Sequence, residues 1–231
     1  MVILRELRSA FPHSRPGDRF FHDTGSVSLA ADTALSVGYV LSIRMSECGT
    51  QEEERLEPVA RCVVVDDCAA VSVGAIDFPH IETHVGFLVG TTITDIEQAT
   101  DPTDCIAAAF PVLRIVTGGP DADTSTDRAP QTSVAIALGA QSIRRDAVRD
   151  LLATLNRNGR VVAAGEGASM QRSPYEGIAI AAQLRLGADS ALRRGQLVLT
   201  GSMHRPVAVA PGDHFRADVL GLGSVCIRCA N

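Results

Sequence analysis

No lysine occurs among the 231 residues; all 21 basic side chains are arginines. Schiff-base catalysis on a lysine amine is thereby excluded, and a GC-rich coding sequence accounts for the bias. The chain also lacks any apolar run near the roughly 18 residues that a membrane span requires. Met1 to Arg19 lacks the basic region, apolar stretch and small-residue cleavage site of a secretory signal, so a cytoplasmic location is expected. Positive charge is not in excess: the formal net charge is −6. That balance excludes a general nucleic-acid binder, because nothing would offset phosphate repulsion. There is no internal repeat and no low-complexity tract. Gly165 and Gly167 follow a hairpin strand and lie outside any βαβ context, so they do not form a dinucleotide cradle.

What is present is ordinary globular material, 45% hydrophobic and 21% charged, long enough for one domain with its own core. Residues 1–57 read as an abbreviated N-terminal segment and 58–231 as a β-rich domain, together expected to form one structural unit. The acidic stretch Thr50 to Glu57 is expected as an exposed loop or helical turn. Of the six cysteines, Cys226 and Cys229 form a lone CxxC in an expected strand. A zinc site there would need two more ligands at workable spacing, so buried reduced thiols are expected.

From Pro58 onward the pattern is that of strands. Val59 to Val65 and Ala69 to Ala75 are β-branched runs separated by Asp66 and Asp67. His80 to Val89 alternates strictly: Ile81, Thr83, Val85, Phe87 and Val89 share one face, and His80, Glu82, His84, Gly86 and Leu88 share the other. Asn158-Gly159 between two strand-like runs predicts a two-residue hairpin, since both positions accept φ > 0. Ser173-Pro174-Tyr175-Glu176 is a capping box with proline at the first helical position; it predicts a helix to about Leu186, stopped by Gly187. Leu197 to Thr200 predicts a strand. Pro211-Gly212-Asp213 predicts a turn, and His214 to Val219 pairs with Ser224 to Cys229 across Gly221-Leu222-Gly223. The sum is a β-rich α/β (α+β) protein with few helices.

Taken in order, these segments carry a resemblance. Gly165-Glu166-Gly167, Ser173-Pro174, Leu199-Thr200-Gly201-Ser202, Pro211-Gly212-Asp213 and Gly221-Leu222-Gly223-Ser224-Val225 follow the order and spacing of the 2-keto-4-pentenoate hydratase and oxalocrotonate decarboxylase branch of the fumarylacetoacetate hydrolase superfamily. His80 to Phe87 resembles the strand bearing that family's Glu-x-Glu metal motif. Pro111 to Val116 resembles the segment bearing its third glutamate, and Asp123 to Ala129 the loop that follows. The similarity covers roughly Phe78 to Ala230. It implies a distorted mixed β-barrel or roll with few peripheral helices, commonly in homo-oligomers. It also implies Mg²⁺ or Mn²⁺ held by three carboxylates and chelating a 2-oxo or 2-hydroxy-dienoic acid.

The metal positions depart from that pattern. Glu82 matches the first carboxylate, but His84 stands at the second and Arg114 at the third. A guanidinium stays protonated and cannot ligate a metal, so no cofactor is expected. Three readings remain open. Glu82 and His84, two apart on a strand and pointing the same way, could bind Zn²⁺ or Mn²⁺; His80 is too far from His84 to join them, about 13 Å at roughly 3.3 Å per residue. Alternatively, Arg114 grips a substrate carboxylate or enolate while Glu82 or His84 moves protons. Or the site is vestigial, with Arg114 paired to Glu82. Thr200, Ser202 and His204 lie on the loop that faces the pocket in the family, which makes them candidates for substrate binding, and Asp123, Asp127 and Arg128 could close over a pocket. The expectation is a lyase- or isomerase-type enzyme of hydratase-like character, in secondary metabolism, acting on an enolisable oxo acid or β-dicarbonyl. The rival is a non-catalytic scaffold or partner subunit that retains the fold.

Overall fold

A computed structural model describes residues 38–45, 52–59, 63–117, 132–139, 151–166, 174–188 and 190–231. In chain order its elements are β1 (Gly38–Met45), β2 (Glu52–Val59), β3 (Val63–Val65), β4 (Ala69–Ser72), β5 (Pro79–Val89), α1 (Ile96–Thr100), β6 (Ile106–Thr117), β7 (Thr132–Leu138), β8 (Leu152–Arg157) and β9 (Arg160–Glu166). After these come α2 (Pro174–Gly187), β10 (Leu197–Leu199), β11 (Val207–Ala208), β12 (His214–Val219) and β13 (Gly223–Ala230). One sheet runs β2-β1-β10-β5-β6-β7-β3, with β11 also paired to β5; the other runs β4-β13-β12-β8-β9. Both are mixed, because β1–β10, β3–β7 and β4–β13 are parallel and the other pairs antiparallel. The larger sheet curls into a half-barrel, as the resemblance implied.

The centre of that sheet is the antiparallel pair β5 and β6, rich in the β-branched and aromatic residues that suit a packed pleated surface. Ile81 to Val89 are all buried, so both faces of β5 are covered. On one face Val85, Phe87 and Val89 pack with Ile178, Ala181 and Ala182 of α2. Further along the same face, Ile81, Leu113 and Ile115 meet Phe215, Ala217, Val225 and Ile227 of the second sheet. The other face carries Leu88, Phe110, Val112, Ile136 and Leu199. Phe87, Phe110 and Phe215 are among the largest fully buried side chains, each contributing about 1.5–3 kcal/mol. Gly86 is required where it stands: a Cβ there would lie 2.7 Å from Val112 Cγ2 and 2.8 Å from Phe110 Cε2.

The local signals translate into structure. Asn158 (φ 53) and Gly159 (φ 82) make the β8–β9 turn with both residues left-handed. Asn158 also ties that turn to β12, donating from Nδ2 to Asp213 Oδ1 (3.0 Å) and accepting from His214 N (2.8 Å). Helix α2 ends at Gly187, and Leu186 packs half-buried beside its buried face; Ser173, the expected cap, lies outside the described residues. Among the described residues no helix is long and apolar enough to cross a membrane.

Two expectations are corrected. The acidic stretch, expected as a loop or helical turn, is strand β2 from Glu52 onward, paired antiparallel with β1. It forms the edge of its sheet, where charged residues are tolerated and discourage further pairing. Among the described residues the sheet therefore begins at Gly38, ahead of Val59. The thiols are not all reduced either: Cys68 and Cys226 are disulfide-bonded across a sequence separation of 158. The parallel pairing of β4 on β13 brings them together, which no spacing rule reveals. Cys105 and Cys229 are free and buried, while Cys48 and Cys62 lie outside the described residues.

Candidate functional site

Glu82 and His84 leave β5 on one face, two residues apart. The β5–β6 register sets Arg114 directly opposite Glu82 and Val112 opposite His84, so a cross-strand pair brings the guanidinium onto the same face as the carboxylate. All three side chains are buried: Glu82 is 5% exposed, His84 1% and Arg114 4%. Glu82 Oε2 is the meeting point. Arg114 Nη1 donates to it at 3.0 Å, and His84 Nε2 lies 3.1 Å away.

The fourth member comes from the segment after β10. Thr200 N donates to Val85 O (3.0 Å) and Met203 N to Thr83 O (2.8 Å), so this stretch extends the ladder along the middle of β5. Thr200 O is thereby brought 2.7 Å from His84 Nδ1. A carbonyl can only accept, so Nδ1 carries a hydrogen. The remaining contact, Nε2 to Oε2, is bonding only when one proton lies between the two atoms. That proton sits on the imidazole with the carboxylate ionised, or on the carboxyl with the imidazole neutral. The pair thus holds one transferable proton beside a permanent positive charge.

His204 is placed differently. Its Nε2 lies 2.8 Å from Thr83 Oγ1 and its Nδ1 2.8 Å from Arg205 O, on the side of β5 opposite Glu82 and His84. Burial lowers its pKa, the Arg205 carbonyl raises it, and the charges of His84 and Glu82 act on it in opposite directions. Ser202 Oγ donates to His204 O at 2.7 Å and so braces the histidine. His80, half-buried near the start of β5, has Nδ1 2.8 Å from Phe78 O and takes no part in the cluster. Asp123, Asp127 and Arg128 lie outside the described residues. The structure therefore gathers Glu82, His84, Arg114 and the Thr200 carbonyl, and sets Ser202 and His204 with Thr83 at their back.

Thr83 was not singled out as a functional candidate, although it is the one hydroxyl on an otherwise apolar face of β5 and is fully buried. Gly165 has a role that sequence reasoning missed as well. A Cβ on it would fall 1.5 Å from Met203 O, so only glycine lets β9 lie against the segment that carries Thr200 to His204.

Comparison with known proteins agrees with this architecture. The chain is 30% identical to a 2-keto-4-pentenoate hydratase of Paraburkholderia xenovorans over 170 residues, covering 69% of this chain and 62% of the relative. It is 36% identical to a 4-oxalocrotonate decarboxylase of Pseudomonas putida over 81 residues, 35% of this chain and 31% of that one. The chain thus spans less than two thirds of the length of these relatives. Among solved structures, the 4-oxalocrotonate decarboxylase of Pseudomonas putida complexed with magnesium and adipate superposes with a TM-score of 0.68 at 20% identity, covering 84% of this chain and 78% of that one. The family model for the fumarylacetoacetate (FAA) hydrolase C-terminal region matches residues 34–229, which takes in both sheets, the β5–β6 pair and the Thr200 segment; the chain belongs to the fumarylacetoacetate hydrolase family.

Proposed function

We propose that this chain is a divergent hydratase/decarboxylase-like enzyme, of lyase or isomerase type, acting on an enolisable oxo acid or β-dicarbonyl. In this reading the Arg114 guanidinium does the electrostatic work that the family gives to a dication. The observation that carries it is the convergence of Arg114 and His84 on a single oxygen of Glu82. An arginine fork suits a carboxylate or enolate oxygen, and it stabilises the negative charge that develops when a proton leaves the carbon next to a carbonyl. The Glu82–His84 pair, with one proton between its two members, can take up that proton and return it elsewhere on the substrate. Thr200 keeps the imidazole oriented through Nδ1, while Ser202 and His204 brace Thr83 on the opposite face of β5.

A family metal fits these residues poorly. The solved relatives include complexes with magnesium and with calcium, hard cations that take oxygen ligands. Here Glu82 Oε2 already meets two nitrogens, and one of them belongs to a guanidinium 3.0 Å away that repels a cation. Among the described residues around Arg114, Glu82 and His84 form the pair of ligands on offer, and that pair suits Zn²⁺ or Mn²⁺ better than Mg²⁺. No step in the proposed chemistry passes through a metal. The altered donors also support a specialised substrate, as in secondary metabolism, and the family resemblance supports a homo-oligomer in the cytoplasm.

A second reading, the non-catalytic scaffold, draws support from the burial and mutual hydrogen bonding of the three side chains. Two measurements separate the readings. The first is calorimetry with a panel of 2-oxo acids and β-dicarbonyls; the second is deuterium uptake from D₂O at the carbon next to the carbonyl, followed by NMR. The enzyme reading expects binding and exchange in the native protein. It also expects a loss on the order of 1.5–3 kcal/mol, roughly ten- to hundred-fold in affinity, in both Arg114→Ala and Arg114→Lys. Absence of binding and exchange across the panel would favour the scaffold.

A further inference from the structure

On the face of the second sheet turned away from β5 and β6, the sulfurs of Cys68 and Cys226 and a ring nitrogen of His214 all lie within 4.8 Å of one another. Two elements build this cluster. In the β12–β13 ladder His214 stands opposite Arg228 and Arg216 opposite Cys226, so His214 and Cys226 share a face, offset by one pair. The turn 66–68 then docks onto β13: Cys68 N donates to Cys226 O (2.8 Å), Cys226 N to Asp67 Oδ1 (2.8 Å) and Arg228 Nε to Cys68 O (3.1 Å). Asp67 Oδ1 also lies 3.3 Å from Cys226 Sγ. Cys68 adopts φ 59 to reach this position, a conformation uncommon for any residue but glycine.

We infer that Cys68, Cys226 and His214 form a three-residue zinc site whenever the Cys68–Cys226 disulfide is reduced. Two thiolates and an imidazole are donors that zinc takes in tetrahedral coordination with water in the fourth position, and the softness of the thiolates excludes magnesium and calcium. In such a site the sulfurs stand about 3.8 Å apart, from Zn–S near 2.3 Å. The two sulfurs and the His214 nitrogen already lie within 4.8 Å of one another, and the remaining adjustment is a separation of the two sulfurs at an exposed turn. The redox step balances. A phosphine delivers two electrons and leaves as its oxide, with water supplying the oxide oxygen and the two thiol protons; a dithiol supplies both electrons and both protons and leaves as a cyclic disulfide. Zinc then displaces one proton from each thiol. Disulfide and metal are therefore alternative states of the same two sulfurs. Cys229, although it completes the CxxC, belongs to the opposite, core-facing side of β13, and burial pushes its thiol up to about 12; it does not contribute.

The test uses the full chain, reduced with a phosphine under anaerobic conditions and titrated with Co²⁺, then with Zn²⁺. One equivalent of Co²⁺ is expected to produce a thiolate-to-cobalt absorption band that Zn²⁺ abolishes. The band is expected to be absent in Cys68→Ser and Cys226→Ser and at least tenfold weaker in apparent affinity in His214→Ala, an exposed position where folding is not at stake. It is expected to persist in Cys48→Ser, Cys62→Ser and Cys229→Ser. In the oxidised protein no band is expected. A reduced protein that gives no band, a band that survives Cys68→Ser, or an affinity unchanged in His214→Ala would each overturn the site.

Discussion

Arg114 stands directly across the β5–β6 ladder from Glu82, with its Nη1 3.0 Å from Oε2. At 4% and 5% exposure neither charge is compensated by water, so each depends on the groups around it. Removing one partner of a buried pair leaves the other charged and desolvated, at a cost of about 3–5 kcal/mol, whereas replacing both by apolar or neutral groups is often neutral. Arg114→Met is accordingly expected to lower the denaturation midpoint strongly, and Glu82→Gln with Arg114→Met to recover most of the loss. Urea unfolding of the two single variants and the double one checks this. Additive losses would mean that the pair is not coupled.

The metal question has its own measurement. Elemental analysis of the purified, dialysed protein is expected to find no stoichiometric Mg²⁺, and a chelator is expected to leave oxo-acid binding unchanged. Arg114→Glu restores one family carboxylate but leaves His84 at the second position, so this variant is expected to lose activity and to gain no metal dependence. One equivalent of Mg²⁺ in the native protein would refute the replacement of the dication by Arg114.

A pH effect follows from His204. Burial lowers its folded pKa below the ordinary 6.5. Between the two values the unfolded chain binds a proton that the native state does not, so stability falls as pH drops from about 6.5 toward the folded value and is independent of this group above 6.5. His204→Gln can keep a bond to Thr83 without titrating. It is expected to flatten that acid-side slope, read from urea midpoints between pH 5 and pH 8. A slope identical to the native protein's would show that His204 is not the group responsible.

Gly165 tests the contact between β9 and the Thr200 segment. The alanine Cβ would fall 1.5 Å from Met203 O, and a backbone carbonyl cannot rotate away as a flexible side chain does. Gly165→Ala is therefore expected to cost more than the roughly 1–3 kcal/mol usual for overpacking. Because Thr200 O holds His84, it is also expected to weaken oxo-acid binding, whereas Gly159→Ala, in an open turn, leaves binding unchanged. Calorimetry on both variants separates the effects.

Much of this protein was written locally. Asn158-Gly159 dictates its turn because few residues accept two consecutive positive φ angles. Pro174 to Gly187 dictates its helix through proline at the start and glycine at the end. The alternation of His80 to Val89 assigned Glu82 and His84 to one face because the strand repeat is two residues. Other features depended on pairings between segments distant in sequence. Glu52 to Glu57 have the composition of a loop and become a strand only because β1 offers them an edge. Cys68 meets Cys226 only through the parallel docking of β4 on β13. Thr200 reaches His84 because β10 and β11 bracket the middle of β5, and Arg114 faces Glu82 because the β5–β6 register sets it there. Turn and helix signals act over a few residues through backbone sterics, so the sequence by itself determined them. Ladder register and sheet docking are decided by the burial of whole faces at once, and only the tertiary structure decided which side chains share an oxygen or a sulfur.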